Sequence, residues 1–400
     1  MTDLIGVAEA EAKIAAHTPA LGVERMSLAV AIGRVLRKPV FAERDHPPFD
    51  RVMMDGIGVR WSDPLPASFA LAGAQMAGMG RLKLDRADAC LEVTTGAILP
   101  DGCDCVIPVE QTRRDGDGYI LAAGYEPARG QFIHAQGSDC PAGTKVLDTG
   151  VRLGPPEIAQ LAANGVAAVE VALTPSIGIL ATGDELVGVD QPLGEGQIRR
   201  SNDVAIAAAL RGHGFDRVAL SHVADDLDAT SKALGDLLAA HDVLIISGGV
   251  SMGQRDYVPE ALAALGVKRV FHRIAQRPGK PMWFGVGPGE QLVFALPGNP
   301  VSSLVCAVRY VRPALLAAMG LKADPPELVC LEADVQTSPT LTCFLPVHVR
   351  QDETGRSMAQ PIVSATSGDF SSLVRAHGVV QLPSGESQTL AGAVAPLYRW

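Results

Sequence analysis

The sequence predicts a multidomain α/β protein in which a doubly wound α/β domain is accompanied by β-rich regions. Its 400 residues are more than one ordinary hydrophobic core accommodates, so several domains are expected. From Ser176 onward, short apolar runs alternate with amphipathic helix patterns, which is typical of a mainly parallel sheet covered by helices. Phe49–Asp139 instead contains short apolar runs separated by Gly, Asp and Pro, a pattern that predicts β structure.

The N-terminal region combines helix and linker patterns. Ile5–Ala16 and Ser27–Leu36 have the composition and apolar spacing of helices. A third helix is predicted for 155–165, where proline lies in the first turn and Asn-Gly follows the last apolar residue. We therefore assign two domains to this half of the chain, an N-terminal helical and linker domain (1–44 plus 140–172) and an inserted β domain (45–139).

The α/β domain is assigned to 173–324 and a small C-terminal β domain to 325–400, because the linker-like KADPPEL lies between them. Apolar runs predict six strands of the α/β domain, at 176–182, 217–225, 242–247, 268–275, 281–286 and 291–296. Amphipathic runs predict four helices, at 203–214, 228–241, 258–266 and 299–320. The C-terminal strands are predicted in ELVCLEADV, TCFLPVHVR and VVQLP.

Charge and cysteine content limit the class of protein. The formal net charge is -10, whereas non-specific nucleic-acid binding requires clustered positive charge, so no nucleic-acid partner is expected. The seven cysteines are odd in number and form no C-x-x-C pair, which favours a reducing compartment and no zinc site. The N-terminus lacks the pattern of a signal peptide, and no stretch is expected to reach the length of apolar residues that a membrane span needs. A cytoplasmic protein is therefore expected.

The segment SGGVSMG, Ser247–Gly253, has the composition of an anion-binding loop. It follows a predicted strand at its carboxyl end, where open α/β sheets bind ligands. Gly248 and Gly249 have no side chains, so backbone N–H groups can approach an anion closely. Ser247 and Ser251 add hydroxyl donors, and a following helix would direct its positive end to the ligand. The alternative is a plain strand-to-helix turn.

Two more loops follow predicted strands and are expected at the same edge of the sheet. Ala181–Leu186 carries the adjacent acids Asp184 and Glu185, which either belong to a site or begin a helix as its cap and first-turn acid. Leu296–Ser303 contains a Pro-Gly-Asn-Pro turn, in which Asn299 caps the next helix or contacts a ligand.

Arg277–Pro281, RPGKP, lies in the densest cationic cluster of this acidic chain. Together with Arg273 it supplies three positive charges, from Arg273, Arg277 and Lys280. Such a cluster is suited to phosphate or another oxyanion, and the alternative is a solvated basic turn.

The inserted domain carries motifs whose function cannot be deduced from residue spacing alone. Asp55-Gly56 in FDRVMMDGIGV is most simply a hairpin turn, and the same holds for the turns around Thr95 and Asp139. The chain has no Walker A pattern, and a serine hydrolase is not expected.

Seven motifs in this order resemble the molybdopterin molybdenumtransferase family, which is called MoeA in bacteria and includes the E domain of gephyrin. Each motif alone is common, but their combination is specific and covers nearly the whole chain. The matching segments are Met54–Gly56, Thr95–Ala97, Gly137–Asp139, Thr182–Leu186, Ser247–Tyr257, Arg277–Pro281 and Leu296–Ser302.

The resemblance implies a MogA-like, molybdopterin-binding α/β domain and a four-part chain that works as a homodimer. The implied reaction inserts molybdenum from molybdate into adenylylated molybdopterin and releases AMP, with Mg²⁺ assisting. A molybdopterin adenylyltransferase and proteins that mature molybdoenzymes are the implied partners. An active site shared between the inserted domain of one subunit and the α/β domain of the other is also implied.

The resemblance also implies roles for individual residues. The implied catalytic residues are Asp55, Thr95, Asp139, Glu185 and Asp256. Those implied to bind the pterin and its phosphates are Thr182, Gly183, Asp184, Ser247, Gly248, Gly249, Val250, Ser251, Arg273, Arg277, Lys280, Pro297, Gly298, Asn299 and Pro300. The implied metal ligands are Glu185, Asp225, Asp226 and Asp256, whose oxygens suit magnesium.

Two segments depart from the family pattern. Where many members read close to DNSAMDGYAV, this chain reads DRVMMDGIGV, so Arg51 introduces a positive charge. His134 and Gln136 stand in a segment that is Arg-rich in many members. Two alternatives to the transferase remain open, a non-catalytic molybdopterin-binding or chaperone protein and a molybdopterin adenylyltransferase, although the latter are usually single small domains.

Overall fold

The computed structural model describes residues 4–250, 257–362 and 368–400, and the chain forms two compact units. The main unit comprises 1–37, 149–154 and 169–400, and the inserted unit comprises 38–148 and 155–168. The chain therefore passes between the two units at four places. The predicted boundaries of four domains stay a prediction.

The main unit is built around a six-stranded sheet with four parallel strands and an antiparallel extension. In spatial order its strands are Val218–Val223, Ile177–Thr182, Val243–Ser247, Leu292–Leu296, Trp283–Val286 and Lys268–His272. Its helices are Asn202–Arg211, Leu227–Ala240, Val258–Ala264 and Pro300–Cys306, the last of which continues through a π-helical segment, Ala307–Val311, into Arg312–Ala318. The predicted doubly wound α/β fold is confirmed.

Burial explains why these strands are readable from the sequence. Every residue of Ile177–Thr182, Val243–Ser247 and Leu292–Leu296 is buried. A parallel sheet covered on both faces requires such uninterrupted apolar runs, whereas a sheet with one wet face alternates. One core cluster includes Phe284 and Phe294, and a second includes Leu244 and Ile246.

The expectation that no segment has the length and composition of a membrane span is wrong. Pro300–Ala318 is a continuous helix of 19 residues that is apolar and long enough to cross a membrane by length and composition alone. In this structure most of that segment is buried inside the protein. Core helices of α/β domains have the same composition because they are covered on nearly every side.

The N-terminal part of the main unit differs from the prediction. The first helix is confirmed as Val7–His17. The second predicted helix, Ser27–Leu36, is wrong, since the segment begins at the end of the strand Val23–Ser27 and contains only the 3₁₀ turn Leu28–Val30. Val35 and Leu36 instead form bridges to distant backbone, at Arg152 and Val171. Long-range pairing has overridden the local helical pattern. The strand Ala168–Ala172 pairs with Val23–Ser27.

The C-terminal β region of the main unit closes on itself. Five strands, in the order Thr342–Gln351, Ser357–Pro361, Glu327–Leu331, Val394–Arg399 and Gly378–Leu382, form a ring because the first also pairs with the last. A short strand, Gln276–Arg277, lies at the start of the cationic segment Arg277–Pro281, which we call the basic loop. This strand pairs with Thr342–Gln351. A two-stranded pair (Val335–Gln336 and Gln388–Thr389) and a short helix (Phe370–Leu373) complete the region.

The inserted unit is mainly β, as predicted for 45–139. Its six-stranded sheet has the order Cys105–Pro108, Gly56–Val59, Ala89–Val93, Ser68–Gln75, Gly118–Leu121 and Thr112–Asp115. Two small pairs join Arg51–Val52 to Ile133–His134 and Val40–Phe41 to Lys145–Leu147, and Val109–Gln111 is a 3₁₀ turn. The predicted helix at 155–165 is present as Pro155–Ala163 and belongs to this unit.

Candidate functional site

Three loops meet at one edge of the central sheet of the main unit. They follow the adjacent parallel strands Ile177–Thr182, Val243–Ser247 and Leu292–Leu296. The carboxyl ends of parallel strands lie at the same edge, which is where α/β sheets bind ligands. The loops line a cavity of about 660 Å³, which we call the glycine-turn cavity. The predicted site residues that line it are Thr182, Gly183, Glu185, Asp225, Ser247, Gly248, Gly249, Val250, Pro297, Gly298, Asn299 and Pro300.

Gly248 and Gly249 form a turn, called the glycine turn here, whose backbone requires glycine. Gly248 has φ +102° and Gly249 has φ +67°, a region that other residues rarely occupy. A Cβ on Gly249 would lie 2.6 Å from Cγ2 of Val258, and one on Gly248 would lie 3.0 Å from the carbonyl oxygen of Thr182. The turn therefore needs both the left-handed conformation and the missing side chain.

The amide groups of this turn are not equivalent. The N–H of Gly248 donates to the carbonyl of Leu296 at 3.1 Å, so this amide is not available to an anion in this structure, and the predicted ligand-binding role of Gly248 stays a prediction. Among the described residues, the N–H groups of Gly249 and Val250 have no such acceptor, and they remain the donors for an anion. The predicted residues Ser251 and Asp256 lie outside the described residues. The next helix begins only at Val258.

The predicted metal ligands have different surroundings. Asp226 is the N-cap of Leu227–Ala240, and its carboxylate accepts the N–H of Ala229 at 2.8 Å. Asp184 accepts the N–H of Asp225 at 3.0 Å, in a turn and not at the start of a helix, so the alternative of a helix cap there is wrong. Glu185 and Asp225 line the cavity. Within 4–250, 257–362 and 368–400, no three His, Cys, Asp or Glu side chains cluster as a metal site.

Several residues of the cavity wall were missed from the sequence. Asn202 donates through Nδ2 to Oγ of Ser247 at 3.0 Å and to the carbonyl of Gly298 at 2.7 Å, so it ties two of the loops together. Arg200 and Asp203 also line the cavity, and Asp203 is fully buried. The only signal in QIRRSND was a set of polar residues before a helix, which ordinary helix starts also show.

A second cavity of about 520 Å³ lies beside the basic loop and is called the basic cavity here. Arg277 and Lys280 line it, together with Ser302 and residues of the C-terminal strands. Asn299 and Pro281 line both cavities, so the two are adjacent. Arg273 lines neither cavity, and its predicted part in the basic cluster stays a prediction.

A buried network fixes the basic loop from below. Gln276, which has no exposed surface, donates to the carbonyl of Pro278 at 3.0 Å and accepts the hydroxyl of Tyr310. Burial raises the pKa of Cys306, next to Gln276, to about 12, so that this thiol stays protonated. The network is structural, and it holds Arg277 and Lys280 at the cavity wall.

The predicted residues of the inserted unit form two local groups. Asp55 accepts both the N–H of Thr95, at 2.6 Å, and its hydroxyl, at 2.8 Å. The backbone hydrogen bond from Thr95, followed by the hydroxyl, holds the pKa of Asp55 below its ordinary value. Gly56–Val59 pairs with Ala89–Val93 and Cys105–Pro108, so the hairpin interpretation of Asp55-Gly56 is wrong.

The second group contains the residues that depart from the family pattern. His134 receives Nη2 of Arg51 at Nδ1, at 3.0 Å, and its Nε2 lies 2.7 Å from Oδ1 of Asp139. Because an arginine can only donate, this contact uses Nδ1 of His134 as the acceptor and leaves Nε2 to donate to Asp139. The imidazole of His134 therefore bridges the Arg51 guanidinium and the Asp139 carboxylate.

A serine hydrolase was not expected because a G-x-S-x-G pattern was taken to be absent, and that reason is wrong. Gly249–Gly253 does read G-x-S-x-G, the pattern of the nucleophile elbow of serine hydrolases. Its central residue, Ser251, lies outside the described residues. A hydrolase would also need a histidine within reach of the serine, and none lines the glycine-turn cavity within the described ranges.

The fold and the sheet-edge cavity define a doubly wound α/β protein with a cavity beside a glycine turn at the carboxyl ends of its parallel strands. Family models match three parts of the chain, the MoeA N-terminal region (domain I and II) over 5–165, a probable molybdopterin binding domain over 178–317 and the MoeA C-terminal region (domain IV) over 329–400. The chain belongs to the molybdopterin molybdenumtransferase family.

Individual relatives agree over the full length. The chain is 37% identical to a molybdopterin molybdenumtransferase of Synechocystis, over 99% of this chain and 100% of that one. It is 34% identical to the protein of the same name from Synechococcus elongatus, over 93% of each chain. Among solved structures, the molybdopterin biosynthesis MoeA protein of Pyrococcus horikoshii superposes with a TM-score of 0.81 at 28% identity, covering 99% of both chains.

Proposed function

We propose that this protein inserts molybdenum from molybdate into adenylylated molybdopterin and releases AMP. The observation that carries the proposal is the glycine-turn cavity beside the basic cavity. The first offers free amide donors for phosphate groups and room for a ring system, while the second offers Arg277 and Lys280 for an oxyanion. Because Asn299 and Pro281 belong to both walls, a bound pterin and a bound molybdate would lie next to each other.

Magnesium fits this arrangement as a metal shared with the substrate. Glu185 and Asp225 are carboxylates in the cavity wall, and Mg²⁺ is commonly held by one or two carboxylates together with substrate phosphate oxygens. The bound ion would polarise the phosphoanhydride that links AMP to the pterin. Asp226 is a poor candidate for this role because its carboxylate already caps a helix.

The test is a turnover assay with the full chain. Adenylylated molybdopterin, molybdate and Mg²⁺ are mixed with the protein, and released AMP is measured by chromatography. We expect molybdate-dependent AMP release that falls at least tenfold in Glu185→Gln, whereas Lys232→Ala, an exposed position that does not line the cavity, keeps the wild-type rate.

The same assay separates the alternatives. A non-catalytic molybdopterin-binding protein would bind the substrate without releasing AMP. A molybdopterin adenylyltransferase would instead consume ATP when supplied with molybdopterin. Folded protein that releases no AMP, under conditions where the Synechocystis relative is active, would rule out the proposed reaction.

We further propose a cytoplasmic homodimer that exchanges its substrate and product with a molybdopterin adenylyltransferase and with proteins that mature molybdoenzymes. The similarity to the family over the whole length supports this proposal. Light scattering on the purified protein measures the mass directly, and a monomer at all concentrations up to the millimolar range would contradict the dimer.

A further inference from the structure

The wall of the glycine-turn cavity contains a buried ion pair that the proposed function does not yet use. The carboxylate of Asp203 has no exposed surface, and its Oδ2 lies 3.5 Å from Nε of Arg200. Neither carboxylate oxygen accepts a hydrogen bond from any residue within the described ranges, and Nε of Arg200 also lacks an acceptor there. The Arg200 side chain keeps 23% of its surface exposed, and it lines the cavity.

Stability does not explain this pair. A buried carboxylate that accepts no hydrogen bond is costly, and buried ion pairs can often be replaced by neutral groups without loss of stability. Asp203 lies in the first turn of Asn202–Arg211, where its charge is favourable, but an exposed acid would have the same benefit without desolvation. A charge kept at this place therefore points to a function in the cavity.

Arg199, which precedes Arg200 in the sequence, has a structural role that Arg200 does not share. Nη1 of Arg199 donates to the carbonyls of Gly188, Val189 and Gln191, at 3.3, 2.7 and 2.6 Å, so its guanidinium holds a loop. Arg200 makes no side-chain hydrogen bond to any described residue, and its only described charged partner is Asp203.

The charges of the cavity also call for a cation. Glu185 and Asp225 line the same cavity, and without a bound metal they would repel a phosphate group. The N–H groups of Gly249 and Val250 supply dipoles but no net charge. A guanidinium that touches a carboxylate through Nε can still present both Nη atoms to a phosphate, because its five donors lie in one planar fork.

We propose that Arg200 binds a phosphate group of the ligand in the glycine-turn cavity and that Asp203 holds Arg200 in the orientation for this contact. Asp203 is a positioning residue, because its side chain has no solvent-exposed surface and its carboxylate lies next to Nε of Arg200. Asn202, which precedes it, is bound to Ser247 and Gly298 and so fixes the pair to the glycine turn. The nucleotide-linked pterin as the natural ligand rests on the proposed function.

The test uses AMP as the probe and the full-length protein, with calorimetric titration as the binding measurement. We expect Arg200→Ala to weaken AMP binding about 10- to 100-fold, since a charge-assisted contact is lost. Arg200→Lys keeps the charge but loses the fork, and it should be intermediate. The affinity of Arg200→Ala should also depend less on salt than that of the wild type. Lys232→Ala is the matched control for removing one positive charge.

Asp203→Asn distinguishes positioning from a structural role. It keeps the shape and removes the buried charge, so we expect an unchanged or higher melting temperature together with severalfold weaker AMP binding. In an Arg200→Ala background, Asp203→Asn should have no further effect on AMP affinity. A lower melting temperature with wild-type AMP affinity would mean that Asp203 is structural, and it would overturn the proposal.

The outcomes separate this inference from the proposed reaction. Arg200→Ala that binds AMP as tightly as the wild type overturns the inference, as does a wild-type protein that binds no AMP. AMP binding that depends on Arg200, without AMP release in the turnover assay, contradicts the proposed reaction and leaves the phosphate site intact.

Discussion

At the scale of single residues, the contact between Thr95 and Asp55 sets the protonation of an exposed carboxylate. Two donors of Thr95 stabilise the charged form, which lowers the pKa of Asp55 below its ordinary value of 3.8. A lowered pKa in the folded state adds stability above the unfolded pKa, and this contribution is lost as the pH falls through the folded pKa.

Thr95→Val therefore has a predictable effect on Asp55. The hydroxyl donor disappears while the backbone donor remains, so the pKa of Asp55 should rise part of the way to 3.8. NMR titration of the carboxyl carbon measures it. Thr112→Val, at a hydroxyl that donates to a backbone carbonyl of the same unit, is the control and should leave Asp55 unchanged. An Asp55 pKa that does not move in Thr95→Val would contradict the assignment.

The seven cysteines are free thiols, and their reactivities should differ strongly. Burial raises the pKa of Cys90, Cys103 and Cys306 to about 12, which leaves very few thiolates at pH 8. Cys140 is only half-buried. We expect a maleimide to label Cys140 first in the native protein, with the three buried thiols labelled only on unfolding, and mass spectrometry of peptides reads this order. Equal labelling of Cys103 and Cys140 would contradict it.

The conformation or role of a single residue could be predicted only where the residue type itself indicates it. Glycines at 248 and 249 indicated a left-handed turn, which the structure shows. Arg200 and Asp203 were missed because nothing in QIRRSND reveals that one carboxylate is fully buried. Burial depends on neighbours far away in the sequence. The hydrogen bond from the N–H of Gly248 to the carbonyl of Leu296 could not be predicted for the same reason, because its acceptor is also distant in the sequence.

At the scale of elements, the long helix Pro300–Ala318 is interrupted by the π-helical segment Ala307–Val311, which contains Arg309. The Arg309 guanidinium forms an ion pair with Glu11, donates to Gln381 at 3.1 Å and lies 4.1 Å from the ring centre of Tyr398. One side chain thus connects the first helix, the central domain and the C-terminal ring of strands.

Arg309→Met should destabilise the protein by about 2–4 kcal/mol, because it leaves Glu11 and Gln381 without their cation or donor. Denaturant unfolding measures the change. Lys232→Met removes an exposed pair with Asp236 four residues away, and its free energy of unfolding should stay close to that of the wild type. Similar losses in the two variants would show that the Arg309 contacts add little.

Elements were predictable where local pattern and tertiary packing agree. The strands of the central sheet and the helices between them follow their apolar runs, because each is covered by the next element along the chain. The segment Ser27–Leu36 failed because its backbone pairs with residues more than a hundred positions away. The C-terminal strand Ser357–Pro361 has few apolar residues, and the apolar run of Val394–Arg399 is interrupted by Pro396, which is uncommon inside a strand.

At the scale of the whole molecule, the two compact units have separate hydrophobic cores. Phe69 is buried in the inserted unit and Phe294 in the main unit, in different clusters. Units with separate cores can unfold in separate transitions. The order and closure of the strands that build these cores could not be predicted, since two-residue strands such as Arg51–Val52 and Gln276–Arg277 pair with distant partners.

Calorimetry of the wild type should therefore show two transitions, or a calorimetric enthalpy above the van't Hoff value. Phe69→Ala should lower one transition and Phe294→Ala the other, each by removing about 3–5 kcal/mol from its own core. Should both variants shift a single transition equally, the two units would unfold as one cooperative body.

The four passages of the chain between the units have a consequence for synthesis on the ribosome. All of the inserted unit has been translated once residue 168 emerges, while most of the main unit, 169–400, is still missing. Synthesis runs from the N-terminus, so the inserted unit can complete its fold first. The first helix, Val7–His17, must wait for partners that come nearly three hundred residues later, including Arg309. Its apolar face is exposed during that interval, which makes the earliest segment of the nascent chain the one that most needs a chaperone.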